Sequence, residues 1–318
     1  MKPVVLITGG LGYVGGRLAR RLLKDARFTV RLGTRHPSNP LPRELLGATA
    51  VECVLESRES LAKACSDVDT VLHLASINEV DCAADHLRAL EVNTAGTLRT
   101  SQAAIEAGVR RFVYFSTAHV YGSPLVGRIT EETPCRPIHP YAWSHHAAED
   151  IVMASATRIE TLVVRLANAF GAPVAPDVNR WTLLVSNLCR EAVGNGGRLV
   201  LKSSGLQERN FITLTDVERA TSHLLEKPSW DHRIINIGGC KSTSVLGMTR
   251  LVAERAAVTL GENWTIERPE TVDPSHPQPL DYRCDLIEGM GFLPADDYAK
   301  EVDGVLRACM AAFGKNAH

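Results

Sequence analysis

The sequence predicts an α/β protein built on a doubly wound parallel sheet, with a smaller C-terminal lobe. Apolar runs of strand length alternate with helical periods as far as Gly171, and a βαβ rhythm of this kind implies parallel strands. The chain opens with a strand, a glycine turn and a helix in immediate succession. After Gly171 the rhythm weakens, and Pro173, Pro176, Gly194, Gly196 and Gly197 punctuate a more irregular stretch.

Residues 3–8, Pro-Val-Val-Leu-Ile-Thr, are an apolar run of strand length. Gly9-Gly10-Leu11-Gly12-Tyr13-Val14-Gly15 turns the chain, and Leu18, Leu22 and Leu23 then give helical spacing over 13–24. Further strands are expected at 28–34, 48–53, 69–74, 110–116, 160–166 and about 232–237. Helices are expected near 58–66, 83–107, 141–157, 181–194, 214–226, 245–261 and 298–312. Pro269, Pro274, Pro277 and Pro279 mark a long loop. The expected division is a main domain at 1–171, to which 211–237 returns, and a second lobe at 172–210 and 238–318.

Composition narrows the function. The 318 residues leave room for a large core. With 35 basic and 36 acidic residues the net charge is −1, so an electrostatic nucleic-acid binder is not expected. No apolar run approaches the roughly 18 residues of a membrane span. The chain enters its first strand at once, so no signal peptide is read and a cytoplasmic protein without a membrane partner is expected. Cysteines at 53, 65, 82, 135, 189, 240, 284 and 309 form no Cys-x-x-Cys pair, which suggests reduced, mostly buried thiols. The eleven histidines contain no His-Glu-x-x-His, and no metal is expected. His73 closes an apolar strand and is expected to be a backbone-bonded core residue.

Three segments carry chemistry. Glycines at 9, 12 and 15, between a strand and a helix, let the backbone approach a pyrophosphate, and the helix N-terminus offers N–H donors and a positive dipole. The alternative is a tight turn without a ligand. The second segment, Val113-Tyr114-Phe115-Ser116-Thr117, begins as a buried strand and ends in hydroxyls at the carboxyl end, the edge where open α/β sheets bind ligands. A plain turn is the alternative. In the third, Tyr141 and His145 stand one turn apart on one helix face. A cation beside the phenol would favour its ionised form, making a tyrosine with an ordinary pKa of about 10 usable near neutral pH. The alternative is an ordinary amphipathic helix that begins with Tyr.

Cofactor choice is read at the end of the second strand. An acidic residue about 20 positions past the glycines would bind the ribose 2′-hydroxyl of NAD. Thr34 stands there instead and Arg35 follows. A neutral hydroxyl with a guanidinium suits a 2′-phosphate, so NADP(H) is slightly favoured over NAD(H). The alternative is Arg35 in solvent, or stacked on adenine with NAD bound.

In this order and spacing the segments resemble the extended short-chain dehydrogenase/reductase family, the nucleotide-sugar epimerases, dehydratases and ketoreductases. Thr8 to Gly15 match its cofactor loop, and His73-Leu74-Ala75-Ser76 resemble its fourth-strand motif, which lies along the cofactor. Asn93-Thr94-Ala95-Gly96-Thr97 resemble its central helix segment. Thr117 falls on the catalytic Ser/Thr and Tyr141 on the catalytic tyrosine. Arg165 to Gly171, Arg209-Asn210-Phe211-Ile212 with Asp216, and Asn236-Ile237-Gly238-Gly239 match later landmarks. The resemblance implies a Rossmann-type domain followed by a substrate lobe. It implies an NAD(P) site at Gly9, Gly12, Tyr13, Val14, Gly15, Thr34, Arg35, Leu74, Ala75, Ser76, Asn93, Ser116, Tyr141 and His145. It implies a nucleotide-diphosphate sugar as substrate, bound by Asn168, Arg209 and Arg283, with Trp181 at the start of the base-binding helix. It also implies a homodimer in which helices 83–107 and 141–157 pair across a two-fold axis.

The chain departs from that family in three places. His145 replaces the lysine that holds the nicotinamide ribose and depresses the tyrosine pKa, and a protonated His145 is the form expected to be useful. Thr34-Arg35 replace the acidic residue, and Val54 replaces an aspartate near the adenine. Ala118-His119 follow Thr117 where sugar 4,6-dehydratases carry Asp-Glu, so that elimination is not expected. The expected function is an NAD(P)-dependent nucleotide-sugar 4-epimerase or 4-ketoreductase, an isomerase or oxidoreductase in which Tyr141 is acid or base and Thr117 assists. The alternative is a weakly active or inactive NAD(P)-binding sensor or scaffold, because the lysine is lost.

Overall fold

A computed structural model describes residues 1–194, 197–261, 263–269 and 278–314; Gly196, Pro274 and Pro277 lie outside the described residues. The chain forms two compact units. The first comprises Met1–Pro124, Glu131–Leu166 and Thr221–Ile237. The second comprises Leu125–Thr130, Ala167–Ala220 and Gly238–His318. The expected return of 211–237 to the main domain thus narrows to 221–237. Residues 125–130 join the second unit, where Gly127–Ile129 pair with Leu280–Tyr282.

The first unit is a seven-stranded sheet of β1 (Val4–Thr8), β2 (Thr29–Thr34), β3 (Thr49–Glu52), β4 (Thr70–His73), β5 (Arg111–Thr117), β6 (Glu160–Leu166) and β7 (Ile234–Ile237). Its order is β7-β6-β5-β4-β1-β2-β3 and every pairing is parallel. β5, inside the sheet between β6 and β4, is buried along its whole length, as a strand covered on both faces must be. Its seven residues are apolar or hydrogen-bonded, and Phe112 packs with Leu6, Val71 and Val163 in the core. The order reverses between β1 and β4, which marks the carboxyl edge there as the place for a ligand.

The helix Tyr13–Asp25 buries Leu18, Ala19 and Leu22 and ends on Ala26 in the left-handed region, whose N–H returns to the carbonyls of Leu22 and Leu23. The helix expected at 83–107 is four pieces: Glu79–Ala84, His86–Ala89, a π-helical turn Leu90–Ala95, and Gly96–Glu106. Asp85 divides the first two, because its carboxylate accepts from the Arg88 N–H (2.9 Å) and starts a new helix. Asn78 starts the first piece by accepting from Val80 and Asp81.

In the second unit, helices Leu184–Gly194, Val245–Leu260 and Tyr298–Phe313 enclose Leu188, Cys189, Val252, Val302, Val305 and Leu306. A three-stranded sheet runs Ser242–Ser244, Glu208–Thr213, Asn168–Phe170, and two strand pairs complete the unit. Trp181 lies in this core, edge-on to Phe313 at 5.1 Å. All eight cysteines are free, and only Cys240 is exposed. Among the described residues no helix is long and apolar enough to cross a membrane.

Candidate active site

The glycine turn joins β1 to the helix at Tyr13. Gly9 has φ +65°, and a Cβ there would sit 3.1 Å from the Ala75 backbone. A Cβ at Gly15 would lie 2.3 Å from the Gly9 carbonyl oxygen. Gly15 is therefore required by the fold of the loop itself. At Gly12 the added atom would touch only that same oxygen, at 3.0 Å, so a strict need for glycine at 12 falls to an approaching ligand. Gly12 caps the helix without a side-chain hydrogen bond, and the first turn carries no acid. Its N–H groups and dipole thus suit an anion. The backbone N–H groups of Leu74 and Ala75 both donate to Thr8 Oγ1 at 3.2 Å, which lays the loop after β4 beside the glycine turn. Ser76 is exposed on that loop.

At the end of β2, Thr34 Oγ1 accepts from the His36 N–H (3.2 Å). Arg35 is exposed and has no hydrogen bond or ion pair among the described residues. Val54 donates its N–H to Ser60 Oγ at 3.0 Å. The glycine cradle and the free guanidinium fit a dinucleotide.

Behind these loops lies a polar core. His73 is fully buried, but it bonds side chains and not the backbone: Nδ1 lies 2.8 Å from Thr8 Oγ1 and Nε2 lies 3.1 Å from Thr97 Oγ1. Burial first, and His145 second, push its pKa down to about 3. Asn93, in the π-helical turn, accepts from the Ile77 N–H (2.9 Å) and donates to Ser144 Oγ (3.0 Å). Its amide thereby ties the loop after β4 to the Tyr141 helix.

Thr117 is the last residue of β5, and its Oγ1 accepts from the His119 N–H at 3.2 Å. Tyr141 opens the helix Pro140–Ala154, which packs on β5. His139 Nδ1 caps that helix by accepting from the Tyr141 N–H (3.2 Å), and Pro140 supplies a preset φ. The Tyr141 and His145 rings lie 4.4 Å apart, as their spacing suggested.

The charge of His145 differs from expectation. The residue is only 2% exposed, and burial, with a smaller contribution from His119, lowers its pKa to about 3. Its imidazole is neutral at physiological pH and supplies no cation to Tyr141. A falling alkaline limb caused by its deprotonation is therefore not expected. Nδ1 lies 2.7 Å from the Tyr114 hydroxyl, while Nε2 is buried without a hydrogen-bond partner.

Ser116 also differs. Its hydroxyl donates to Glu149, which forms a buried pair with Arg165 (Nη2 to Oε2 2.7 Å). That proton is committed inside the protein. Arg165 further donates to the Glu131 carbonyl (3.3 Å) and lies over the Tyr121 ring at 4.8 Å. Glu149 went unnoticed in the sequence, although it stands one turn past His145. Cys135, His146 and Glu149 place possible ligand atoms within 4.8 Å of one another, a grouping that sequence spacing did not reveal. Arg165 and Ser116 already occupy that carboxylate.

In the second unit, Asn168 Nδ2 donates to the Asn210 carbonyl at 3.0 Å. Arg209, on the adjacent strand, is half-buried, has no hydrogen bond or ion pair among the described residues, and has its pKa lowered by burial. Arg283 is engaged instead by Asp285 (2.6 Å) and Asp281 (3.7 Å), so of the two arginines Arg209 is the one available to a phosphate.

Residues 5–238 match the family described as the NAD dependent epimerase/dehydratase family. The chain is 31% identical to dTDP-D-glucose 4,6-dehydratase of Mus musculus, over 91% of this chain and 84% of that protein. It is 27% identical to UDP-glucose 4-epimerase of Azospirillum brasilense, over 97% and 91%. The structure of MoeE5 in complex with UDP-glucuronic acid and NAD superposes with a TM-score of 0.76 at 25% identity, covering 96% of this chain and 98% of that one.

Proposed function

The chain belongs to the NAD dependent epimerase/dehydratase family, within the extended short-chain dehydrogenases/reductases, and from that premise we propose that it is a nicotinamide-dependent enzyme acting on a nucleotide-diphosphate sugar. What supports the proposal is the placement of Thr117 at the carboxyl end of β5 and of Tyr141 at the head of the helix that packs on that strand. Within the family we favour a 4-epimerase or 4-ketoreductase, since Ala118-His119 lack the acidic pair that a 4,6-elimination uses. Tyr141 takes or gives the proton of the sugar hydroxyl at C4, and the Thr117 hydroxyl bonds the same oxygen. A bound nicotinamide supplies or accepts the hydride at that carbon. Gly9, Gly12 and Gly15 with the N–H groups at Tyr13 and Val14 hold the pyrophosphate, and Leu74, Ala75 and Ser76 flank the dinucleotide. Arg209 and Asn168 hold the sugar nucleotide.

Tyr141→Phe is expected to lower kcat by about 10²–10⁴ on a sugar-nucleotide substrate. Steady-state kinetics on UDP- and dTDP-hexoses and their 4-keto forms reads this. A loss smaller than tenfold would remove Tyr141 from the chemistry. The neutral His145 favours a second reading, a dinucleotide-binding protein without turnover; wild-type protein inert on that whole panel while still binding NAD(P) would establish it.

For the cofactor we propose a preference for NADP(H), on the unpaired Arg35 guanidinium beside Thr34. A charge-assisted contact is worth about 1.5–3 kcal/mol, or roughly ten- to a hundredfold in affinity. Arg35→Ala should lose that much NADP affinity by calorimetry and keep its NAD affinity. Equal losses for both would indicate adenine stacking, and a wild-type preference for NAD would defeat the assignment. A homodimer completes the proposal, since Val80, Leu87, Leu90 and Leu98, spread over the helical pieces between Glu79 and Glu106, expose apolar side chains; sedimentation reads it directly.

A further inference from the structure

We propose that Tyr114 is a positioning residue: its phenol donates to Nδ1 of His145 and fixes the imidazole as the Nε2–H tautomer, an uncharged hydrogen-bond donor one helical turn from Tyr141. The bond is 2.7 Å long, and both partners are only 2% exposed. The direction of donation follows from acceptor strength, since a pyridine-type imidazole nitrogen accepts more strongly than a phenolic oxygen. If Nδ1–H donated to the phenol, the phenolic proton would turn to the Thr97 side chain, and the ring's one strong acceptor would be left buried and unmet at Nε2. If the phenol donates, Nε2–H alone is unmet. That one atom is the buried side-chain nitrogen of His145 without a partner.

An unmet buried donor is costly in the free protein and is relieved when a ligand brings an acceptor. Resting on the dinucleotide reading above, that acceptor is an oxygen of the bound NAD(P). Several titratable groups face the imidazole. His73 approaches from β4, Tyr114 from β5 and His119 from the turn after it, while Tyr141 lies on the same helix. Glu149, one turn on, is neutralised by Arg165. No unpaired charge among them would draw a proton to Nε2's partner nitrogen. Tyr114 in turn has its pKa raised well above the ordinary value, burial being the main cause, so the phenol keeps the proton it donates.

The device differs from a cation in what it does to Tyr141. It orients and donates, but it does not pull the phenol toward ionisation. The rate of hydride transfer should therefore rise with pH through the ionisation of Tyr141 alone, without an inflection belonging to His145.

The test uses the full chain labelled with ¹⁵N-histidine. In wild type, Nε2 of His145 should give a protonated, pyrrole-type signal and Nδ1 a pyridine-type signal, unchanged from pH 5.5 to 9. Adding NAD or NADP should shift the Nε2–H proton. Tyr114→Phe, which keeps the ring, should mix the tautomers and weaken dinucleotide binding about tenfold by calorimetry. Protonation at Nδ1 in wild type would overturn the proposal. So would a Tyr114→Phe protein with unchanged tautomer and affinity. If wild type shows the expected tautomer but binds no dinucleotide, the ligand role of Nε2–H and the dinucleotide reading both fail, while the Tyr114 lock stands.

Discussion

Glu149→Ala is expected to destabilise the protein by about 3–5 kcal/mol, because it strands the buried Arg165 guanidinium without a counter-charge. The pair is 2% and 5% exposed at its side chains and is bidentate, with Arg165 Nε within 3.1 Å of both carboxylate oxygens. Ser116 loses its acceptor in the same step. Since a domain is stable by only about 5–15 kcal/mol, the variant should sit near the edge of folding. Removing both charges is another matter. Glu149→Leu with Arg165→Met should recover most of the loss, because neither buried charge remains to be satisfied. Urea unfolding followed by circular dichroism measures both. A single-variant loss below about 1 kcal/mol would mean that water reaches the pair.

The second large effect is expected on acidification. His73 and His145 have folded pKa values of about 3 against an ordinary 6.5. Both are therefore neutral when folded, and each unfolded chain binds protons that the folded one refuses as pH drops below about 6.5. Their contribution is fully present above pH 6.5 and is lost as pH falls toward 3. The slope is about 1.4 kcal/mol per pH unit for each histidine, so by pH 5 the two together cost about 4 kcal/mol. The urea midpoint should fall accordingly between pH 7 and 5, and His73→Asn should show a shallower slope over that range. A midpoint that is flat from pH 7 to 5 would mean that one or both rings take up protons in the folded state.

The strands of the main sheet were legible because each is built round an apolar segment, as in Val-Val-Leu-Ile of β1, and the glycine turn because it falls between that segment and a leucine-spaced helix. The strands of the second unit were not. Most have three residues, as at Asn168–Phe170 and Arg198–Val200, too few to display a period of two. In the site, Thr117, Tyr141 and His145 stood out by type and spacing, but spacing carries no burial. Nothing local distinguishes a solvated His145 from one sealed against Tyr114, which is 31 residues away in the chain. Ser116, Glu149 and Arg165 come from two strands and a helix. Their union is a property of the fold, and a hydroxyl that looked ligand-facing in sequence proves to be anchored inward.

The path of the chain also constrains how the protein is made. It passes between the two units at five points, after Pro124, Thr130, Leu166, Ala220 and Ile237. The strand Gly127–Ile129 must wait for Leu280–Tyr282, 280 − 127 = 153 positions later, to find its partner. The main sheet gains its last edge only with Ile234–Ile237. Contacts this distant in sequence cost loop entropy before they return any binding, which slows folding. On the ribosome the first unit cannot finish before the second has begun, so neither can be released as an independently completed domain. A nascent chain halted near residue 230 would present the open side of β6 as an unpaired edge, the kind of surface that chaperones must shield and that aggregates when they do not.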